Sequence, residues 1–292
     1  TQQPTLFPYT TLFRSAPGFA AITVAGHGGC RADRGSRPRP GQRRRPAATA
    51  FDRRYLSPNY LRQPLRGFLE REVRGVFWLD APGHIGKSMF VRGLAEAESA
   101  GEQPLLDDLK VVAVFIRKEY RYGPAALLPM LEIALKQALD LAERQDRRLP
   151  QIDLNAADKA AALAGVLTEF RELAHFQGRL LVCLDGLDEL RPPENDVSVL
   201  DFLPTPDALP ARTYLLLTSR PPADDACPAW VWERPAGRLA GQPGFQRYSV
   251  AMADPGYRTL LRGYFQRELE AGRAKLESRL LDEGHAPDAA RK

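Results

Sequence analysis

After residue 50 the hydrophobic positions fall into two alternating kinds of run. Five are short and nearly continuous: 76–80 (VFWLD), 111–116 (VVAVFI), 180–184 (LLVCL), 214–218 (YLLLT) and the weaker 246–250 (QRYSV). Runs of this length and composition predict strands, and unbroken apolarity predicts burial on both faces of a sheet covered by helices. Between them, apolar residues recur at helical spacing. Leu65, Phe68, Leu69 and Val73 mark one helix before the first strand, and Met89, Val91, Leu94 and Ala95 mark one after it. A longer helix is expected at 125–142, with Leu128, Leu131, Leu135, Ala138 and Leu139 inward and Pro129 in its first turn. Another is expected at 156–176, closed by a left-handed cap at Gly178. A last one at 255–281 carries Tyr257, Leu260, Leu261, Tyr264, Phe265 and Leu269 on one stripe. Strands alternating with helices define an α/β fold around a mostly parallel sheet. The chain has no internal repeat, which excludes a solenoid or propeller.

Three short motifs sit at the ends of predicted strands. The segment 81–88 (APGHIGKS) lies between VFWLD and the helix that follows, and matches the phosphate-binding loop pattern with Ala81 in place of the first glycine. Backbone N–H groups from Gly83, His84, Ile85, Gly86, Lys87 and Ser88 can converge there on an anion at a helix N-terminus. Lys87 would reach terminal phosphates, and Ser88 would offer a hydroxyl to Mg²⁺. In 180–190 (LLVCLDGLDEL), Asp185 ends a buried strand and is the expected acidic partner of that Mg²⁺. Asp188 and Glu189 follow, and one of them is expected to orient or deprotonate an attacking water. In 215–221 (LLLTSRP) a strand stops at prolines and presents Arg220 beside the phosphates. The tract 117–121 contributes Arg117, Lys118 and Arg121, expected as a solvated group, with phosphate or partner binding as the alternative. Trp230 and Trp232 are expected to pack in a core or under a lid.

The string DGLDEL after a hydrophobic strand, with the loop APGHIGKS and the strand ending TSRP, resembles the NACHT branch of the STAND signalling NTPases. The resemblance implies a three-layer P-loop NTPase fold with a five-stranded, mostly parallel sheet in the order 5-1-4-3-2. It covers about residues 51–270 and assigns 51–253 to the NTPase domain and 254–292 to a helical segment that starts a lid or next domain. It further implies ATP and ADP as ligands with Mg²⁺, and an Arg220 that reports which nucleotide is bound. The implied activity is a nucleotide-dependent switch with slow ATP hydrolysis. Self-association through the NTPase domain, and effector and sensor domains lying outside this chain, are implied with it. The alternatives are an active AAA+-like ATPase or motor, and a nucleotide-bound scaffold without useful turnover. RLAGQPG at 238–244 matches an ABC signature poorly, and the chain lacks an NKxD motif for guanine.

Charge changes the picture at one end only. The net charge of the chain is +5, yet residues 1–50 hold eight Arg against one acid, and the remainder holds 33 basic against 35 acidic residues. The body is therefore mildly acidic, which argues against nucleic acid as a partner. The stretch 5–15 (TLFPYTTLFRS) resembles a translated sequencing adapter, and 25 of the 35 residues from 16 to 50 are Ala, Arg, Gly or Pro. Residues 1–50 are accordingly expected to be an artefactual or disordered leader. Three scattered cysteines (Cys30, Cys183, Cys227) and the lack of a long apolar run point to a reducing compartment, the cytoplasm, with no membrane partner. Four scattered histidines give no metal-ligand spacing.

Overall fold

The computed structural model describes residues 22–25, 56–96, 103–117, 123–139, 141, 150–193 and 197–282. Among these residues six strands form one sheet: β1 (Ile22–Ala25), β2 (Gly75–Asp80), β3 (Leu109–Phe115), β4 (Arg179–Asp185), β5 (Thr213–Ser219) and β6 (Phe245–Ser249). Their order is β1-β3-β4-β5-β2-β6. From β3 to β6 every neighbouring pair is parallel. These five strands, counted in sequence, run 5-1-4-3-2 across the sheet, the expected order. Strand β1 comes from the leader, where no element was expected. It runs antiparallel along the outer edge of β3, with Ile22 opposite Val114 and Ala25 opposite Val111. The outer edge of a parallel sheet offers unpaired N–H and C=O groups, and ITVA is a short β-branched run able to use them.

Among the described residues six helices cover the sheet: α1 (Asn59–Arg71), α2 (Lys87–Ala95), α3 (Pro124–Ala138), α4 (Lys159–Ala174), α5 (Ala229–Leu239) and α6 (Pro255–Asp282). Successive strand residues point to opposite faces, so each central strand feeds two cores. Val76 and Trp78 of β2, Val182 and Leu184 of β4, and Leu215 and Leu217 of β5 pack with α3, α4 and α5 on one face. Phe77 and Leu79, Leu181 and Cys183, and Tyr214 and Leu216 pack with α1 and α2 on the other. This makes three layers, helix on sheet on helix, and explains why the central strands are nearly continuous apolar runs. On the first face Trp78 stacks on Trp232 of α5, centroids 4.2 Å apart, a contact of about 0.5–1.5 kcal/mol beyond area burial.

Several helix ends differ from the sequence reading. Helix α3 starts at Pro124, and Pro129 lies inside it. Pro129 is exposed, as is Ala125, whose carbonyl it leaves without a helical donor, so water can satisfy that group. Helix α4 begins at the N-cap Asp158, whose side chain accepts from the Ala161 N–H, and ends at His175 in the left-handed region (φ 52°). Gly178 serves close approach instead of capping, because a Cβ there would lie 2.5 Å from the Asp108 carbonyl oxygen. Val73 falls beyond α1 and is 66% exposed. In α2 the inward residue is Phe90, while Met89 is half-buried. Helix α5 was not expected, since Pro235 and Gly237 interrupt it in sequence. It forms because Val231, Trp232, Pro235 and Leu239 are buried together on one side. Along α6, Tyr257 is buried and Leu260, Leu261 and Tyr264 are half-buried, whereas Phe265 and Leu269 are exposed.

Candidate functional site

Strand register places three loops side by side at the carboxyl edge of the sheet. Asp80 of β2 stands opposite Ser219 of β5, and Phe115 of β3 stands opposite Asp185 of β4. Strand β2 leads into α2 on one face, while its neighbour β5 leads to α5 on the other. Adjacent strands whose connections diverge to opposite faces leave a crevice at their carboxyl ends, the usual place for a ligand in an open α/β sheet.

The loop 81–88 turns through two left-handed residues, His84 (φ 65°) and Gly86 (φ 98°). Between them Ile85 is 2% exposed and sits in the core beneath α1 and α2, so its side chain anchors the loop. His84 is exposed. Gly86 is the N-cap of α2 and provides no side-chain hydrogen bond, which leaves first-turn N–H groups facing the crevice. Lys87 folds back over its own loop and donates to the carbonyls of Ala81 (2.5 Å) and Pro82 (3.0 Å). Burial lowers its pKa against the opposing influence of the Asp188 and Asp185 carboxylates, and Arg220 adds to the lowering.

Asp185 is 3% exposed. It accepts from the Thr218 hydroxyl at 2.6 Å and from Ser88. Burial pushes its carboxyl above the ordinary range, only partly offset by these hydroxyls and by Lys87. Gly186 follows at φ 87°, and its N–H donates to Thr218 Oγ1 at 3.0 Å. A Cβ on Gly186 would press to 2.9 Å from the Ile116 carbonyl oxygen, so glycine is needed for both conformation and space. The other buried acid at this edge, Asp80, is committed elsewhere. It accepts from Arg247 (2.8 and 3.3 Å) and from Ser249 (2.5 Å) of β6, and the Arg247 guanidinium lies 4.4 Å from the Trp232 ring centroid.

Arg220 is held at its backbone and at the Nε edge of its guanidinium. Its backbone N–H and its Nε donate to Asp188 at 3.1 Å each, and its carbonyl accepts from Ser219 Oγ (2.9 Å) and Trp232 Nε1 (3.1 Å). The guanidinium crosses over Gly83: a Cβ built there would come within 3.3 Å of Arg220 Cζ and 3.4 Å of both terminal nitrogens. Gly83 is therefore the residue that lets the cation lie on the loop. Glu189 is half-buried in the short turn Leu187–Glu189, and its N–H donates to the Gly186 carbonyl.

These groups surround one cavity of about 410 Å³. Gly83, His84, Ile85, Gly86, Lys87, Ser88, Asp185, Asp188, Glu189 and Arg220 all line it, so every residue singled out from the three motifs meets there. Arg117 joins them, while Lys118 and Arg121 lie outside the described residues. Sequence reasoning matched no individual side chain to the apolar part of the lining, which includes Leu56, Pro58, Tyr257, Leu260, Leu261 and Tyr264. The stripe on α6 was a signal for four of these, but it did not say what the stripe would face. Among the described residues no group of three His, Cys, Asp or Glu side chains could by itself cage a metal. No helix among them is long and apolar enough to cross a membrane. No protein-family model matches the chain, and no curated protein matches it.

Proposed function

We propose that the chain binds ATP and ADP with Mg²⁺ in this cavity and acts as a nucleotide-dependent conformational switch with slow ATP hydrolysis, in the manner of a NACHT-type STAND NTPase. The observation that carries the reading is the convergence of the 83–88 loop, Asp185, Glu189 and Arg220 on one crevice at a sheet edge. A helix N-terminus, a lysine and an arginine supply positive charge at one end for phosphates. The apolar wall at the other end suits the flat face of a purine base. Lys87 bonded to its own loop is poised to exchange two carbonyls for phosphate oxygens.

The residues present fit Mg²⁺ bound in the way this ion prefers, through few protein ligands and several waters and phosphate oxygens. Asp185 is a buried carboxylate whose ionised form lacks an adjacent cation strong enough to offset burial, and it already bonds Ser88. These two side chains would hold the ion, and its chemistry when bound would be to neutralise charge on the phosphates. Glu189 lines the same cavity and is the acid assigned to act on water. Self-association through this domain, coupling to effector and sensor domains, and a cytoplasmic location belong to the same reading.

Thermal melting of the 292-residue chain tests it. ADP or ATP with Mg²⁺ at about 100 times its dissociation constant adds ~2.7 kcal/mol to stability. The Tm rises in the parent and stays still in Lys87→Ala. A parent indifferent to nucleotide, or a variant that responds as fully, contradicts the reading.

A further inference from the structure

Asp188 and Glu189 are neighbours in sequence with different surroundings in the fold. Both oxygens of Asp188 are engaged by a single residue: Oδ1 accepts the Arg220 backbone N–H and Oδ2 accepts the Arg220 Nε, each at 3.1 Å. The Asp188 side chain is 7% exposed, and that of Arg220 is 32% exposed. On the far side of the same residue, the Arg220 carbonyl is bonded by Ser219 and by Trp232. With its backbone fixed and its Nε edge occupied, the guanidinium lays its two terminal nitrogens across Gly83, Nη1 also lying 3.7 Å from Asp224 Oδ1. A long cationic side chain is thus held in one pose before any ligand arrives. Preorganisation of this kind lets a cation discriminate between ligands differing by one charged group.

We infer that Asp188 is a positioning residue that holds Arg220 over the loop for a terminal phosphate, so that the pair distinguishes a nucleoside triphosphate from a diphosphate. The inference rests on the nucleotide reading given above. It assigns Asp188 to ligand discrimination and leaves hydrolysis to Glu189.

The test measures dissociation constants for ADP and for the β,γ-imido analogue of ATP, each with Mg²⁺. The proteins are the full chain, Asp188→Asn, Arg220→Ala and the double variant. Asp188→Asn keeps one acceptor oxygen but opposes Nε–H with an amide NH₂. The ratio of the two affinities shifts against the analogue by about tenfold in Asp188→Asn, the scale of one charged hydrogen bond. It shifts at least as far in Arg220→Ala, and no further in the double variant, because the two residues act as one unit. Tryptophan emission gives a second readout, since Trp232 donates to the Arg220 carbonyl: the difference between analogue-bound and ADP-bound spectra shrinks in Asp188→Asn. Asp224, 3.7 Å from Arg220 Nη1, is the control, and Asp224→Asn leaves the ratio within about twofold. Arg220→Lys, which keeps the charge but lacks the guanidinium Nε, probes the contact from the other partner should Asp188→Asn fail to fold, and it loses the ratio likewise. An unchanged ratio in Asp188→Asn and Arg220→Lys, multiplying losses in the double variant, or an equal loss in Asp224→Asn overturns the inference while leaving nucleotide binding intact. A parent that binds neither nucleotide overturns the binding reading and this inference with it.

Discussion

One end of the 410 Å³ cavity is built from the backbone of residues 83–88 with Asp185, Asp188 and Arg220, and the other from Leu56, Pro58, Tyr257, Leu260, Leu261 and Tyr264. The first end is dense in directed bonds. Lys87, Asp185, Asp188 and Arg220 each have named partners at 2.5–3.1 Å, and three glycines stand where a side chain would collide or strain. The second end has few such constraints. It is a wall of buried and half-buried apolar groups from two segments about 200 residues apart, one leading into α1 and the other on α6. Charge recognition needs fixed geometry and hence particular residues at particular spacings, whereas an apolar wall needs only area. The two ends should therefore fail in different ways when altered.

The largest expected effect belongs to the polar end. Glu189→Gln should lower ATP turnover by roughly 10²–10⁴-fold, the usual contribution of a positioned acid or base, with the ATP dissociation constant little changed. Single-turnover hydrolysis beside equilibrium binding checks it, and retained turnover removes Glu189 from the chemistry. Next comes the apolar end. Leu261→Ala with Tyr264→Ala should weaken ATP and ADP equally, by about tenfold, as expected for losing part of one buried side chain's worth of contact. Competition by inorganic tripolyphosphate should be unaffected. A loss for tripolyphosphate as large as that for ATP breaks the division into two ends.

The smallest effect concerns stability without ligand. Burial raises the folded pKa of Asp185 above its ordinary 3.8, so ionising this group opposes folding. Its stabilising influence is fully present below pH 3.8 and disappears as pH rises through the raised folded value. Asp185→Asn removes that penalty and should melt higher than the parent near neutral pH, by about 2–4 °C for a gain of about 1 kcal/mol. The gap should close as pH falls through the window towards 3.8. A variant that melts lower at neutral pH contradicts the burial argument.

Legibility from sequence follows the same division. The five parallel strands were readable to within about two residues, four of them because burial on both faces makes them nearly continuous apolar runs, and the half-exposed β6 more weakly. That the loop 81–88 and Arg220 meet at one sheet edge was readable because each lies in a contiguous segment at the end of a strand. Helix α5 was not, since Pro235 and Gly237 lower local propensity and tertiary packing, the burial of Val231, Trp232, Pro235 and Leu239 with Trp232 stacked on Trp78, restores the helix. The end of α4 was misplaced because His175 takes the left-handed conformation usually left to glycine, while Gly178 answers to a backbone contact with Asp108 from a distant segment. The different surroundings of Asp188 and Glu189 were invisible for a similar reason: what separates them is Arg220, 32 residues away from Asp188.

Calorimetric titration of the full chain with ATP and Mg²⁺ addresses the central claim most directly. The expected result is one site per chain in the parent, with the heat lost in Lys87→Ala and regained by no increase in Mg²⁺ alone. A parent that gives no binding heat, or a Lys87→Ala variant that titrates like the parent, would contradict the assignment of this cavity to a nucleotide.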